Sequence, residues 1–185
     1  MKILKLSRPA TVQDLYDLDE RAEIVDGQLV LMGGTGFSPN RAAARIWRSL
    51  DDHEQAHGGG YALAEGGVFV VDLPLRQSFS PDGAWYTGAP TDGHFMYEAP
   101  ALAVEVRSRG DYGLRAERAM GAKRADYFAA GTRVVWDVDL QSSEKIRVYR
   151  HDDPEHPAIY RAGDIAEAEP AVPGWRFPVN DLFEP

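Results

Sequence analysis

Short apolar runs recur along this chain and predict the strands of a sheet. They lie at Tyr61–Ala64, Val68–Leu73, Asp82–Tyr86, Ala101–Arg107, Val134–Val138 and Ile146–Tyr149, with two shorter tail runs at Ile159-Tyr160 and Ile165-Ala166. An earlier run, Glu23–Met32, is divided by Asp26-Gly27, a dipeptide typical of a two-residue hairpin turn. It therefore predicts two antiparallel strands near the start of the chain.

Apolar residues at helical spacing predict helices between these strands. They are a short helix from Thr11 to about Leu18, a long helix capped by Ser38 or Asn40 that ends near His57, a helix over Leu114–Ala130, and a last turn at Val179–Phe183. Thr11 and Asp14 resemble a capping box, and Gly131 is placed to end the third helix. The alternation favours a mixed sheet with helices on its faces, an α/β or α+β fold.

Size and composition fit one globular domain over residues 1–185, since 44% of the residues are hydrophobic and 26% are charged. No apolar run reaches the roughly 20 residues that cross a membrane. The start, Met1–Lys5, is too short and polar for a signal peptide. The absence of cysteine excludes disulfides, zinc–thiolate sites and cysteine nucleophiles. We expect a cytoplasmic protein without membrane association.

The overall charge is acidic, but one segment is basic. Lys and Arg number 20 against 29 Asp and Glu, a net charge of −9. This argues against a protein that coats nucleic acid non-specifically, because phosphate contacts need surplus positive charge. Within 107–124, however, six cations accompany two anions. The local excess favours phosphate binding, and a solvated helix face is the alternative. Arg41, Arg45 and Arg48, which share one helix face, have the same two interpretations.

The strand Ala101–Arg107 carries an acid in apolar surroundings. Alternation places Glu105 and Arg107 on one face and the valines on the other. A strand this apolar is covered on both faces, so Glu105 is a carboxylate at the buried edge of a sheet. A buried carboxylate is either ion-paired or bound to a metal. The structural alternative for Glu105 is a salt bridge to Arg107 or another arginine.

A lysine interrupts the apolar stripe of the helix that follows this strand. The stripe recurs at 4-3-4-3 spacing and comprises Ala116, Met120, Lys123, Tyr127 and Ala130. This helix should pack back on the same sheet, so Lys123 can reach the neighbourhood of Glu105. The alternative is a lysine that snorkels past the sheet edge into water.

A second acid, Asp82, follows a proline on the preceding strand. Pro81 favours an extended entry and Gly83 leaves space beside the carboxylate, although Pro-Asp-Gly is also a common turn. Magnesium takes oxygen ligands and keeps several waters, so two carboxylates and a backbone carbonyl suffice. The metal activates water, and a lysine stabilises charge on the transition state. The layout predicts a magnesium-dependent phosphodiesterase, with Glu23 as a further acid outside the first ligands.

An ordered set of segments resembles the Uma family of restriction-endonuclease-like proteins, within the PD-(D/E)XK nuclease superfamily. The segments cover most of the chain: Ala22–Val30, Ser38-Pro39, Ser80–Asp82, Ala101–Ser108, Ala122–Gly131, Val134–Val138, Ile146–Arg150 and Pro173–Phe177. The resemblance implies a restriction-endonuclease-like core that uses Mg²⁺ or Mn²⁺ to hydrolyse nucleic acid, DNA in particular. It also implies a homodimer.

The resemblance assigns roles to individual residues. Asp82 and Glu105 look like the two metal-binding acids, and Val106 would supply its carbonyl. Lys123 looks like the family's lysine, and Glu23 corresponds to its early acid. We therefore expect the catalytic set to be Asp82, Glu105, Lys123 and Glu23.

The chain also departs from the superfamily pattern. The lysine that usually lies two residues after the strand acid is replaced by Arg107, which stays protonated and cannot act as a base. Arg109-Gly110 stands where the family usually has Pro-Ser. These changes and the acidic charge favour an alternative, an inactive nuclease fold that binds protein or nucleic acid. Arg107 and Arg41 are candidate contacts to substrate phosphate. A histidine-based hydrolase is disfavoured, because the five histidines show no metal-ligand spacing.

Overall fold

The computed structural model describes residues 2–183, which contain thirteen strands and three α-helices. The strands are β1 (Lys2–Leu4), β2 (Ala22–Val25), β3 (Gln28–Leu31), β4 (Tyr61–Ala64), β5 (Phe69–Val70), β6 (Ser78–Phe79), β7 (Gly83–Tyr86), β8 (Leu102–Val106), β9 (Val134–Val138), β10 (Ile146–Arg150), β11 (Asp153–Tyr160), β12 (Ile165–Glu167) and β13 (Arg176–Pro178). The helices are α1 (Val12–Tyr16), α2 (Phe37–His57) and α3 (Leu114–Ala129), and Val179–Leu182 form a 3₁₀ turn. Within that range no helix combines the length and apolar content needed to span a membrane.

The central sheet has six strands in the order β11-β10-β9-β8-β7-β4. β8 and β9 run parallel, and every other neighbouring pair is antiparallel. The parallel pair is joined by α3, because parallel strands need a crossover connection. β1, β3 and β2 form a separate three-stranded sheet, and β5-β6 and β12-β13 form two small ones. The predicted mixed sheet flanked by helices is confirmed.

Each face of the central sheet is covered by a different hydrophobic core. On one face α2 and the C-terminal segment pack against Val104 and Trp136. On the other face α3 supplies Tyr127 and Phe128, which pack around Ala103. The alternation along β8 therefore places its acid on the same face as α3.

The hairpin of β2 and β3 turns at Asp26-Gly27, as predicted. Both residues have positive φ, 50° and 65°, which is the backbone of the two-residue turn that this dipeptide favours. β2 then lies beside β6, where the Ile24 amide donates to Ser78 Oγ at 2.8 Å. This contact carries the small sheet, and Glu23 with it, to the edge of the central sheet.

Several element boundaries differ from the predictions. The long helix starts at Phe37 with Gly36 as its cap, so neither Ser38 nor Asn40 caps it. β5 occupies only part of the predicted Val68–Leu73 run, while β11 begins seven residues before Tyr160 in a polar stretch. β6 and β13 were not predicted, because two or three residues are too few to show a period.

Candidate active site

The four predicted catalytic residues come from four elements and lie together beside β8. Lys123 Nζ on α3 is 2.8 Å from Glu105 Oε1 on β8 and 2.9 Å from Glu23 Oε1 on β2. Asp82 directly precedes β7, and its Oδ2 accepts a hydrogen bond of 2.8 Å from the Val106 amide at the end of β8. The structure thus collects into one cluster side chains that are up to 100 positions apart in the chain.

Lys123 is a buried ammonium rather than a solvated one. Its side chain is 16% exposed and points along the inner face of α3 into the carboxylates. Burial by itself lowers the pKa of Lys123, but Glu105 and Glu23 outweigh it and hold that pKa above its ordinary value. Lys123 therefore acts at neutral pH as a charge and hydrogen-bond donor, not as a base.

Among the three carboxylates, Glu105 is the one whose ionised form is least favoured in the folded protein. Burial, and less strongly the charges of Asp82 and Glu23, raise its pKa to about 7 against the opposing effect of Lys123. Glu105 Oε1 also accepts a hydrogen bond of 2.7 Å from the Tyr127 hydroxyl. The protein alone does not fully compensate this charge, and a cation at the carboxylate would do so.

Glu23, by contrast, accepts hydrogen bonds on both of its carboxylate oxygens. Its Oε2 accepts a hydrogen bond of 2.7 Å from Arg76 NH1, and its Oε1 accepts one of 2.9 Å from the Ser80 amide. Burial works to raise the pKa of Glu23, but Lys123 and Arg76 outweigh it and lower that pKa. Glu23 is thus held ionised, in a position to orient Lys123. Arg76 was missed from the sequence, since it lies outside every motif.

Asp82 is fixed by backbone contacts and by a second arginine that the sequence did not reveal. Arg21 donates to the carbonyls of Ser80 at 2.6 Å and Pro81 at 3.0 Å, and its NH2 lies 3.6 Å from Asp82 Oδ1. Burial raises the pKa of Asp82, opposed by the Val106 amide and Arg21. These contacts aim the carboxylate at the end of β8.

Arg107, in the position of the usual superfamily lysine, belongs to a different cluster. Its Nε and NH2 donate to Asp137 Oδ1 and Oδ2, both at 2.7 Å, and it also pairs with Glu117. Among the ion pairs of residues 2–183, Glu105 is joined to Lys123 and not to Arg107. All three guanidinium nitrogens of Arg107 donate to carboxylates and the residue is 5% exposed, while its phosphate contact stays a prediction.

Arg41, the other predicted phosphate contact, is exposed in the first turns of α2. It lines a cleft of about 1340 Å³ that also contains Arg109 and Ser108. Arg107 and Ser108, which directly follow β8, line this cleft, so it lies at the end of the strand that carries Glu105.

The donor set fits a magnesium-like cation. Within residues 2–183 no group of three or more His, Asp or Glu side chains is arranged to hold a metal. Asp82 and Glu105 with water would be the binding set, which suits magnesium because it keeps several waters. The ion-paired acids of this cluster outnumber its cations: Glu23, Asp82, Glu105, Glu65 and Asp126 accompany Lys123, Arg76 and Arg21. A divalent cation would offset this excess of negative charge.

A family model decides the relationship of this chain. The model for Uma2, described as "Putative restriction endonuclease", matches residues 9–180. The chain belongs to the Uma2 family. The resemblance seen in the sequence motifs is thereby confirmed. Among curated proteins, none matches the chain.

A solved structure shows the same fold. The crystal structure of a "putative nuclease belonging to DUF820" from Anabaena variabilis superposes with a TM-score of 0.74 at 15% sequence identity. The match covers 95% of this chain and 98% of that one. At this identity the likeness establishes the fold, a mixed sheet flanked by helices.

Proposed function

We propose that this protein is a Mg²⁺-dependent endonuclease that hydrolyses phosphodiester bonds in DNA. The observation that carries the proposal is the Lys123 ammonium held at 2.8 Å from Glu105 and 2.9 Å from Glu23, next to Asp82. Membership of the Uma2 family supports nuclease function in general terms. Mn²⁺ has the same preference for oxygen ligands and should substitute.

Each side chain has a distinct part in this proposal. Asp82 and Glu105 would hold a divalent cation, which would supply positive charge to polarise the phosphate and to make a bound water more acidic. Lys123 has three N–H donors, of which two are used by Glu105 and Glu23, so the third can point at the attacking water or a phosphate oxygen. Tyr127 and Glu23 are positioning residues, since they fix the orientation of Glu105 and Lys123.

The free-energy cost of burying the charges of this cluster favours a catalytic role over a purely binding one. Desolvating several charges at a sheet edge is expensive, and an apolar replacement of similar volume is often as stable or more so. Glu105 with its raised pKa shows that this cost is not fully offset within the protein. A fold kept only for binding gains nothing from Lys123 and Glu105 in this arrangement.

Calorimetric titration of Mg²⁺ and Mn²⁺ tests the proposal without knowledge of the substrate sequence. We expect the wild type to bind and the Asp82→Ala/Glu105→Ala double variant not to bind. Arg118→Ala, an exposed change on the outer side of α3, is the matched control. The same proteins are then incubated with supercoiled and single-stranded DNA, with and without EDTA. A wild type that neither binds metal nor cleaves would overturn the proposal and favour the non-catalytic binding module.

We further propose that the enzyme acts as a homodimer, as its family resemblance implies. Cutting both strands of a duplex is simplest with two copies of one site. Sedimentation equilibrium gives the mass directly, and a monomer at micromolar concentration would contradict this part.

A further inference from the structure

The cleft beside the site is positively lined in an acidic protein. Its described lining residues are Gly34, Gly36, Phe37, Ser38, Pro39, Arg41, Arg107, Ser108, Arg109, Gly110, Tyr112, Leu140, Gln141, Leu182 and Phe183. They include three arginines and neither Asp nor Glu, although the chain carries 29 acids and 20 bases. Arg107 is already paired with Asp137 and Glu117, so the positive charge of the lining comes from Arg41 and Arg109. Within residues 2–183 no salt bridge involves Arg41 or Arg109. These two guanidinium groups are therefore available to an anionic ligand.

Both walls of the cleft continue from residues of the candidate active site. One wall begins at Arg107, which follows Val106, the residue whose amide holds Asp82. The other includes Gly34 and Gly36, and Thr35 between them donates to Glu65, the partner of Arg21. One wall of the cleft is therefore continuous along the chain with the end of β8, which carries Glu105 and Val106.

Two phenylalanine rings stand exposed among these cations. Phe37, in the first turn of α2, is 83% exposed, and Phe183 is 48% exposed. Lys145 Nζ lies 5.1 Å from the centre of the Phe183 ring, which adds another positive charge at this edge. Folding provides no burial for Phe37, so its apolar surface is left for a ligand.

An unpaired nucleic-acid strand binds surfaces on which aromatic rings alternate with cations. Its bases stack on the rings while its phosphates follow the positive charges. A duplex offers no base faces to such rings, because its bases are already stacked on each other.

We infer that the substrate is single-stranded DNA, or an unpaired stretch of DNA, that lies in this cleft. Its bases stack on Phe37 and Phe183, and its phosphates contact Arg41 and Arg109. This inference rests on the proposed nuclease function and adds the form of DNA that the site accepts.

Fluorescence anisotropy with a labelled oligothymidine and with a duplex of equal length tests the inference. Binding is measured in EDTA, so no cleavage occurs. We expect the wild type to bind the single strand more tightly than the duplex. Phe37→Ala should weaken single-strand binding at least about fivefold, as loss of one stacked base implies, and Phe37→Trp should restore it. Tyr97→Ala is the control, since Tyr97 is exposed beside a different cavity that contains Asp72 and Glu98.

The salt dependence of the DNA affinity tests the arginines separately from the phenylalanines. Arg41→Ala should reduce the slope of log affinity against log salt by about 0.7, the value for one phosphate contact on a single strand. Arg48→Ala, two turns further along α2 and outside the cleft, should leave the slope unchanged.

The outcomes separate this inference from the proposed function. Duplex binding as tight as single-strand binding, or full affinity in Phe37→Ala, would overturn the inference. Selective single-strand binding without cleavage in Mg²⁺ would support the inference while the nuclease proposal fails. Cleavage of duplex DNA that is insensitive to Phe37→Ala would support the nuclease and overturn the inference.

Discussion

Lys123 reaches the strand acid from a helix, whereas the superfamily pattern places its lysine on the strand itself. The strand position holds Arg107, whose side chain is taken up by Asp137 and Glu117. A helix that packs on the same face can supply the missing cation because its inner stripe faces β8. The proposed mechanism requires an ammonium beside Glu105, whichever element supplies it.

Replacing Lys123 separates catalysis from metal binding. We expect Lys123→Ala to lower the cleavage rate by at least about 100-fold, because a charge that stabilises the transition state is lost. Metal affinity should be unchanged or slightly higher, since the carboxylates lose a competing cation. Cleavage assays and calorimetry measure the two effects, and Lys123→Gln repeats them with a polar side chain. Loss of metal binding in both folded variants would contradict the role assigned to Lys123.

The raised pKa of Glu105 predicts a pH-dependent stability. In the folded metal-free protein this pKa is about 7, above the ordinary 4.5, so between these values the folded state binds more protons than the unfolded state. This contribution to the free energy of unfolding therefore falls as pH rises from about 4.5 to 7. Glu105→Gln should remove the fall and be more stable at pH 8 by roughly 1 to 3 kcal/mol.

Urea unfolding at several pH values measures this, with Glu117→Gln as the control for a carboxylate whose pKa is lowered instead. Glu105→Gln should also bind metal more weakly. A variant that is less stable than wild type at pH 8 would show that Glu105 forms a structural ion pair with Lys123.

At the scale of elements, ion pairs hold α3 near both of its ends. Glu117 near its start pairs with Arg107, and Asp126 near its end accepts a hydrogen bond of 2.7 Å from Arg76. The Tyr127 ring stacks on Phe79 with centroids 4.0 Å apart. These contacts fix the rotation of the helix, which in turn fixes where Lys123 points.

We expect the ion-paired cluster of Arg107, Asp137 and Glu117 to contribute mainly to the free energy of unfolding. Arg107→Ala would leave Asp137 buried without its partner, at a cost of about 3 to 5 kcal/mol. Activity should fall too, because α3 loses its anchor at Glu117. Arg147→Ala is the control, since Arg147 lies 3.9 Å from Asp137 and is more exposed. Chemical denaturation measures both variants. An Arg107→Lys protein of unchanged stability and weakened DNA affinity would instead support the phosphate contact predicted from the sequence.

At the scale of the whole molecule, the C-terminal segment completes the core of the central sheet. Trp175 stacks on Trp136 with ring centroids 4.8 Å apart, and its Nε1 donates to Ser49 Oγ on α2 at 3.0 Å. The buried residues of this segment belong to the same hydrophobic cluster as those of α2 and β8. One face of β8 is thus covered by the C-terminal segment.

Removing the Trp175 side chain, which contacts Trp136 and Ser49, tests whether the chain is one domain, as its sequence predicts. Trp175→Ala should lower the free energy of unfolding by about 3 to 5 kcal/mol and reduce the near-ultraviolet circular dichroism of the stacked tryptophans. Ile165→Ala, at an exposed position of the same segment, should change it by less than about 0.5 kcal/mol. A wild type that melts in two separate transitions would contradict a single domain.

Local patterns predicted the elements well wherever a period or a turn residue was present. The Asp26-Gly27 turn, β9 at Val134–Val138 and the helix before Gly131 lie where the sequence places them. Two-residue strands such as β6 and the polar start of β11 carry no such signal, because pairing with neighbours decides them. The four residues that the structure brings together could be picked out beforehand because an acid or a lysine within an apolar stripe is visible in the sequence.

The sequence by itself determined the mixed sheet, the Uma2 family and the acid-and-lysine set, because these depend on periodicity and on residue type. Only the tertiary structure decided the partners: Arg76 and Arg21 hold the carboxylates, and Arg107 turns away to Asp137. Only it brought the Phe37 ring and the arginines to one cleft. Ion pairing and burial depend on distances between residues far apart in the chain, and those distances are set when the sheet and helices pack.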